Sequence, residues 1–440
     1  MYFKASFTFS ILFFLLSLAL ISCSTEYAAT VKEQRAEFKT YSLSMVPGQV
    51  PVPNSIKSLQ FYPEGSPSSL PVLELGKPKN LILSFDELTS VSGQFRISFT
   101  HHEQNWEESN IPDAWYLDGV NEIVVQGGER NAQNDPGYFH YSFTIPGNRV
   151  RFAMSGNYLL HVYDQQSGIE LFSLPFFVTE DAGEVSTNVE TIYNSGNSGA
   201  AVDQLFSEFR SPDFVELPQF DLSFSFAQNH LLSTLKIPSE VSNVVQGVTE
   251  FHLSRSQAYE ANFDYSRLDL HEFTTQTYQI FDYQPASIPP KVILREDFLN
   301  FTATPNIDHD NTFGRPNSGR YARYGEVFFR FNTMGRLLNS DGIFLIGDFN
   351  QWTISDRYKL RYNEETELFE TSALIKEGIY TYKYVTITNG KIDQFTLSDT
   401  ITKQTQRYTV FVYFRDNEFQ YDRLLKVKDF YLIFHYLYLL

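Results

Sequence analysis

The single cysteine of this 440-residue chain, Cys23, closes a run in which Lys4 supplies a positive start, Phe7 to Ile21 an apolar core, and Leu20-Ile21-Ser22 lead to the thiol. The core is too short for a comfortable permanent span, and its end suits cleavage. The run reads as a bacterial lipoprotein signal, in which residues 1–22 are removed and Cys23 is lipidated as the new N-terminus. The mature chain then has no disulfide. Elsewhere, His101 and His102 adjoin Glu103, and His140 is near in sequence. Neighbours on an extended chain face opposite sides, so this pair cannot ligate one metal, and hydrogen-bonded histidines at a strand end are expected. Asn306-Ile307-Asp308-His309-Asp310-Asn311 offers alternating oxygen donors but lacks the turn glycine and distal glutamate of an EF-hand, and reads as a solvated loop. There is no G-x-S-x-G elbow, Walker loop or H-E-x-x-H pair. Among 52 acidic residues nothing singles out a glycosidase-type pair. Tyr380, Tyr382 and Tyr384 share a face that suits either a sugar platform or a core stripe, and the core is the expectation. The chain is expected to have no catalytic residues, no cofactor and no metal.

The elements that would position these groups are strands. The 41 Phe and 27 Tyr stand against 4 Met, and aromatic residues favour half-buried pleated surfaces. A formal charge of -18 argues against nucleic-acid and polybasic membrane-binding roles. Leu81, Leu83 and Phe85; Phe95, Ile97 and Phe99; Tyr141, Phe143 and Ile145; and Tyr158, Leu160 and Val162 alternate with period two. Pro146-Gly147-Asn148 and Ser155-Gly156-Asn157 break these runs, and Pro175 limits its strand to an edge or a start. Residues 23–54 read as a polar tether and 55–180 as an N-terminal β-sandwich. The Gly/Asn/Ser-rich stretch at 194–199 marks a boundary opening a middle β-rich region at 181–322, whose clearest strand carries Phe220, Leu222, Phe224 and Phe226. Residues 323–425 read as a third sandwich, begun by Val327, Phe329 and Phe331 and closed by Val410 to Phe414. Residues 426–440 form a hydrophobic tail too short to span a bilayer as a helix, suited to a terminal strand or a docking segment. The expected fold is all-β, with tandem immunoglobulin-like sandwiches.

Two sets of residues go beyond composition. Gly347-Asp348-Phe349-Asn350-Gln351-Trp352, followed by Gly378-Ile379-Tyr380-Thr381-Tyr382-Lys383-Tyr384, resembles the early-set immunoglobulin-like modules that accompany glycogen-branching enzymes. An ordered series covers most of the mature chain: Ser58 to Pro63, Leu81 to Asp86, Phe99-Thr100-His101 with Trp106, Tyr116-Leu117-Asp118-Gly119, Tyr138 to Tyr141, Ser155-Gly156-Asn157-Tyr158 and Tyr421-Asp422-Arg423-Leu424. This series resembles the plug proteins of the Bacteroidota type IX secretion system. The resemblance implies a non-enzymatic lipoprotein on the periplasmic side of the outer membrane, with the translocon barrel as partner and no nucleic acid or small-molecule substrate. The matching residues Trp106, Tyr116, Asp118, Gly119, Gly156, Tyr158, Gly347, Asp348, Phe349, Asn350 and Trp352 are expected to be structural. A surface glycan-binding lipoprotein is the alternative, motivated by the aromatic runs and the branching-enzyme-like module.

Overall fold

A computed structural model describes residues 41–131, 136–147, 149–193, 201–238, 240–245, 247–261, 264–275, 277–299, 315–316, 322–335, 340–389, 391–398 and 405–432. Cys23 with its signal, the 306–311 loop and residues 433–440 lie outside the described residues. The fold is all-β, built from β-sandwiches packed against one another.

In the first sandwich, one sheet runs in the order Ile56–Pro63, Leu81–Glu87, Tyr138–Ile145, Glu129–Asn131. The facing sheet runs Val72–Glu74, Glu170–Thr179, Gly156–Asp164, Phe95–His102, Ile123–Val125. Period-two alternation sends one face of each strand inward, where the aromatic rings interlock. Phe85 meets Phe95 edge-on at 5.3 Å, and Tyr158 stacks on Phe176 at 5.2 Å. Such pairs contribute about 1 kcal/mol each beyond the area they bury. Pro175 lies within Glu170–Thr179, at a gap in its outer partner. The Ser173 N–H donates to the Val50 carbonyl at 3.0 Å and the Phe177 N–H to the Pro71 carbonyl at 2.9 Å. Between them the same outward edge needs no donor, which is where a residue without an N–H fits.

The middle sandwich departs from the expected boundaries. One sheet is Glu184–Ile192, Val202–Arg210, Val248–His252, Glu240–Val245; the other is Leu231–Lys236, Leu222–Gln228, Gln406–Asp416, Tyr421–Leu432. Val410 to Phe414, expected to close the third sandwich, instead pair with Leu222–Phe226 within one sheet of the middle sandwich. The cause is complementary burial: Phe224, Phe226, Tyr408, Val410 and Val412 fill one cluster with Phe251, which stacks on Phe224 at 3.8 Å. Residues 426–432, expected in the tail, belong to the Tyr421–Leu432 strand, where a bulge beside Val412 interrupts the register that alternation would reveal. Phe220, expected to alternate inward with Phe224, sits instead in the helical turn Pro218–Asp221 and faces water.

The third sandwich pairs Ser266–Leu270, Gly378–Thr388 and Gly342–Gly347 in one sheet. Its second sheet contains Ile280–Gln284, Lys291–Phe298, Tyr324–Asn332, Leu368–Lys376 and Arg361–Asn363. The third sandwich is thus inserted in sequence between the strands of the middle one.

Residues 41–52, expected in the tether, are laid across all three bodies. Tyr41–Ser42 pairs with Thr353–Ile354, the Ser233 N–H donates to the Leu43 carbonyl at 3.1 Å, and Gln49 and Val50 bond Ser173. Leu43 and Val46 are buried there, two apolar residues too few to show a period in sequence. The first and third sandwiches meet on a buried ion pair. Asp86 takes the Lys376 ammonium at 2.8 Å and the Tyr324 hydroxyl at 2.7 Å on one oxygen, and His140 at 2.6 Å on the other. Burial pushes the Lys376 ammonium down from its ordinary pKa, while Asp86 pulls it back.

Truncating one partner of such a pair strands the other charge without water. Lys376→Met is expected to cost about 3–5 kcal/mol in urea denaturation. A cycle with Asp86→Asn should show coupling of at least about 1 kcal/mol, whereas simple additivity would mean that the two groups act independently.

Candidate functional site

Part of the ordered sequence series, His101 with Trp106, Ser155-Gly156-Asn157 and Tyr421 to Leu424, converges on the joint between the first and middle sandwiches. Tyr421 opens the last described strand and enters the first sandwich's core, its ring 5.5 Å from that of His101. The carboxylate of Asp422 accepts the Gln104 N–H at 3.0 Å and bonds Arg415 at 3.1 Å. Arg423 makes a fork on Glu180 at 2.8 and 2.7 Å. The Leu424 N–H donates to Ser155 Oγ at 3.2 Å, and its carbonyl accepts the Glu180 N–H at 2.9 Å. Four consecutive residues therefore reach four separate partners on the neighbouring body.

From the first sandwich, Glu103 completes the joint. One of its oxygens accepts Arg415 at 3.0 Å and the Asp422 N–H at 2.8 Å. Burial, and then the neighbouring Asp422, push its carboxyl above the usual range. Asn157 bridges inward, donating to the Glu103 carbonyl at 3.0 Å and accepting the Tyr413 hydroxyl at 3.0 Å. Behind these polar contacts, Trp106, Leu159 and Phe177 pack on Phe411, Tyr413 and Leu424. Trp106 stands at φ 67, on a tight turn closed by its N–H to the Glu103 carbonyl at 2.9 Å.

His101 and His102 diverge as extended neighbours must. His101 is held between Ser109 Oγ at 2.8 Å and the Ser155 carbonyl at 3.0 Å, which assigns its proton to Nε2 and leaves Nδ1 to accept the serine hydroxyl. His102 bonds the Trp106 carbonyl at 3.0 Å on the opposite face. Gly156 makes room for this arrangement: it stands at φ +148, and a Cβ there would lie 2.3 Å from His101 Nε2. Tyr158 is fully buried and donates to the Met154 carbonyl at 2.7 Å; Tyr116 donates to the Phe99 carbonyl at 3.2 Å. Gly119 stands at φ +126, with the Arg149 carbonyl 2.6 Å from where a Cβ would sit. Asp118 is exposed, at 4.0 Å from Arg151.

In the third sandwich, Asp348 fastens a turn. It accepts Trp352 Nε1 at 3.0 Å and, on its other oxygen, the Thr381 N–H at 2.5 Å and hydroxyl at 2.7 Å. Asn350 accepts the Gly347 N–H at 2.9 Å, and Phe349 enters the third core. A Cβ at Gly347 would meet the Thr381 carbonyl at 2.5 Å. Trp352 turns the other way, into a cluster with Leu43, Leu231 and Ile354 that joins the third sandwich to the middle one. Beside it, a cleft of roughly 160 Å³ is lined from all three bodies, among others by Leu59, Phe61, Leu174, Leu232, Gln351 and Trp352. Tyr380, Tyr382 and Tyr384 are in the core, the latter two donating to Asp297, so this run is withheld from any sugar.

Sequence reasoning did not find Asp86, Glu103, Glu180, Lys376 or Arg415 as joint residues. The available signal was weak: each is a charge inside or beside an alternating strand, where a solvated face is the ordinary reading.

Residues 56–180 match the family model of the type 9 secretion system plug protein first domain. No curated protein sequence matches the chain. The fold is similar to a crystal structure of a hypothetical protein from Parabacteroides merdae, with a TM-score of 0.77 and 21% identity over 87% of this chain and 99% of that one. The dimeric latent PorU from Porphyromonas gingivalis aligns with a TM-score of only 0.16 and 10% identity, covering 86% of this chain and 34% of that chain. The domain match bears out the resemblance drawn from the ordered series.

Burial pushes the His101 pKa down to about 4, only partly opposed by the Ser155 carbonyl. Below its ordinary value of about 6.5 the unfolded chain binds a proton that the folded chain refuses, so stability falls as pH drops through this window. The expected loss from His101 is about 3 kcal/mol between pH 6.5 and 4. Denaturation midpoints of the parent and His101→Gln across that range check it. The variant should lose about one proton's worth of the dependence, and parallel curves would refute the assignment.

Proposed function

We propose that this chain, whose residues 56–180 match the first domain of type 9 secretion system plug proteins, is a non-enzymatic plug. It closes the periplasmic end of the outer-membrane translocon barrel when no substrate is passing, and is anchored to the membrane by lipid on Cys23. The domain match is the observation that carries this reading.

The physical case is one of stiffness. A seal across a wide pore must hold its shape, and flexible domains joined by linkers would yield. Here the sandwiches are joined by buried apolar clusters, by the Asp86–Lys376 pair and by the fork of Arg423 on Glu180. The joints leave few rotatable connections between bodies, so docking costs little additional ordering. Reversible closure also needs an interface of modest size that forms without refolding either partner, as rigid-body association allows. The tight first core, the Pro175 gap and the close backbone packing at Gly119 and Gly156 all serve shape.

Purified translocon barrel is expected to retain the protein. Deleting the gene in a strain lacking the other gate should make the outer membrane leaky to a small periplasmic marker. A barrel that does not retain the protein, or unchanged leakage, would refute the plug reading. Cys23→Ser should abolish incorporation of radiolabelled palmitate and release the protein into the soluble periplasmic fraction; retained label would remove the anchor from the proposal.

A further inference from the structure

One end of the joint between the first and middle sandwiches carries an apolar surface that no core uses. Trp115 is 50% exposed, Phe214 44%, Leu217 52%, Phe220 76% and Phe419 43%. They come from three separate segments brought together by the fold. Phe419 is on the hairpin tip between Gln406–Asp416 and Tyr421–Leu432, and its ring meets Trp115 of the first sandwich edge-on at 5.8 Å. Asn417 on the same tip donates to Asp221 at 3.2 Å, which holds the Pro218–Asp221 turn and with it Phe220 beside the hairpin. Phe214 packs on Phe414 at 5.8 Å, under the guanidinium of Arg423.

Three properties distinguish this surface from scattered exposed side chains. Its backbone is fixed: Pro218 starts the turn, and the Phe220 N–H bonds the Leu217 carbonyl at 2.9 Å, so Phe220 points outward by construction. It continues an existing interface, because the hairpin that carries Phe419 also sends Tyr421 into the first core. Its rim is acidic. Asp113, Asp213, Glu216 and Glu418 are exposed around it, while the nearby cations Arg415 and Arg423 are occupied by Glu103, Asp422 and Glu180.

We propose that this surface docks a protein partner presenting apolar side chains ringed by lysine or arginine. On the plug reading, on which the identity of the partner rests, this partner is the translocon barrel. Aromatic groups at the centre would carry most of the binding energy, and the acidic rim would steer and orient the encounter. The same rim repels anionic lipid headgroups and nucleic acid, which fixes the occupant as protein.

A photo-crosslinking amino acid placed at Phe220 of the full-length chain in cells tests this, with Tyr278 on the third sandwich, 87% exposed, as the control position. The expected result is a Phe220 adduct with the barrel, mapped by mass spectrometry beside basic residues. The adduct should weaken about tenfold when Asp213→Lys and Glu216→Lys reverse the rim. A barrel adduct from Tyr278 but not Phe220 would overturn the docking surface and leave the plug reading standing. A rim-sensitive Phe220 adduct with a different protein, mapped beside basic residues, would support the surface and overturn the barrel as partner. Adducts to lipid alone, or none at Phe220, would overturn the surface.

Discussion

The arrangement depends on where one hairpin is placed. Gln406–Asp416 and Tyr421–Leu432 complete the second sheet of the middle sandwich, yet they arrive only after the chain has built the whole third sandwich. Once Gln406–Asp416 has paired with Leu222–Gln228, the third sandwich is held at both of its chain ends by the middle one. The tip of the same hairpin delivers Tyr421 to the first core and Asp422 and Arg423 to its polar rim. A single supersecondary unit thus closes one body, confines a second and docks a third. Its formation requires contacts across nearly 200 residues of chain, an entropic cost offset by burying Tyr408, Val410, Val412 and Leu425 in one cluster.

The joints combine apolar clusters with paired charges, and the two do different work. Apolar contact supplies attraction but tolerates sliding between flat sheet faces. Asp86 with Lys376, which is buried, and Arg423 with Glu180, which is part-buried, tolerate less: a shifted register would leave a charge without its partner. Ion pairs of this kind add little net stability relative to a well-packed apolar contact, but breaking one by removing its partner is costly. The joint also keeps Trp115 against Phe419 at its outer end.

Much of the fold was legible because strands of the first sandwich such as Phe95–His102 alternate. Phe95, Ile97 and Phe99 all face inward, while Gly156 and Asn157, expected in a turn, instead open the paired strand Gly156–Asp164. Phe220 misled for the same reason that Phe224 and Phe226 did not: period two continues through it, but Pro218 starts a helical turn that swings it outward. The joint residues were illegible. Glu103 or Lys376 in sequence is a charge near a strand, and only the neighbouring body turns it into a buried partner.

The sequence by itself determined the all-β class and the inward face of the clearly alternating strands, because period-two burial is a local property of the chain. It also held the ordered series whose resemblance pointed to the plug family, since those residues stay in order whatever their partners are. Tertiary structure alone decided which strand completes which sheet. Val410 to Phe414 suit either the middle or the third core by hydrophobicity, and only shape complementarity with Phe224, Phe226 and Phe251 assigns them. Burial of a charge likewise depends on a surface supplied from hundreds of residues away, and no local pattern encodes it.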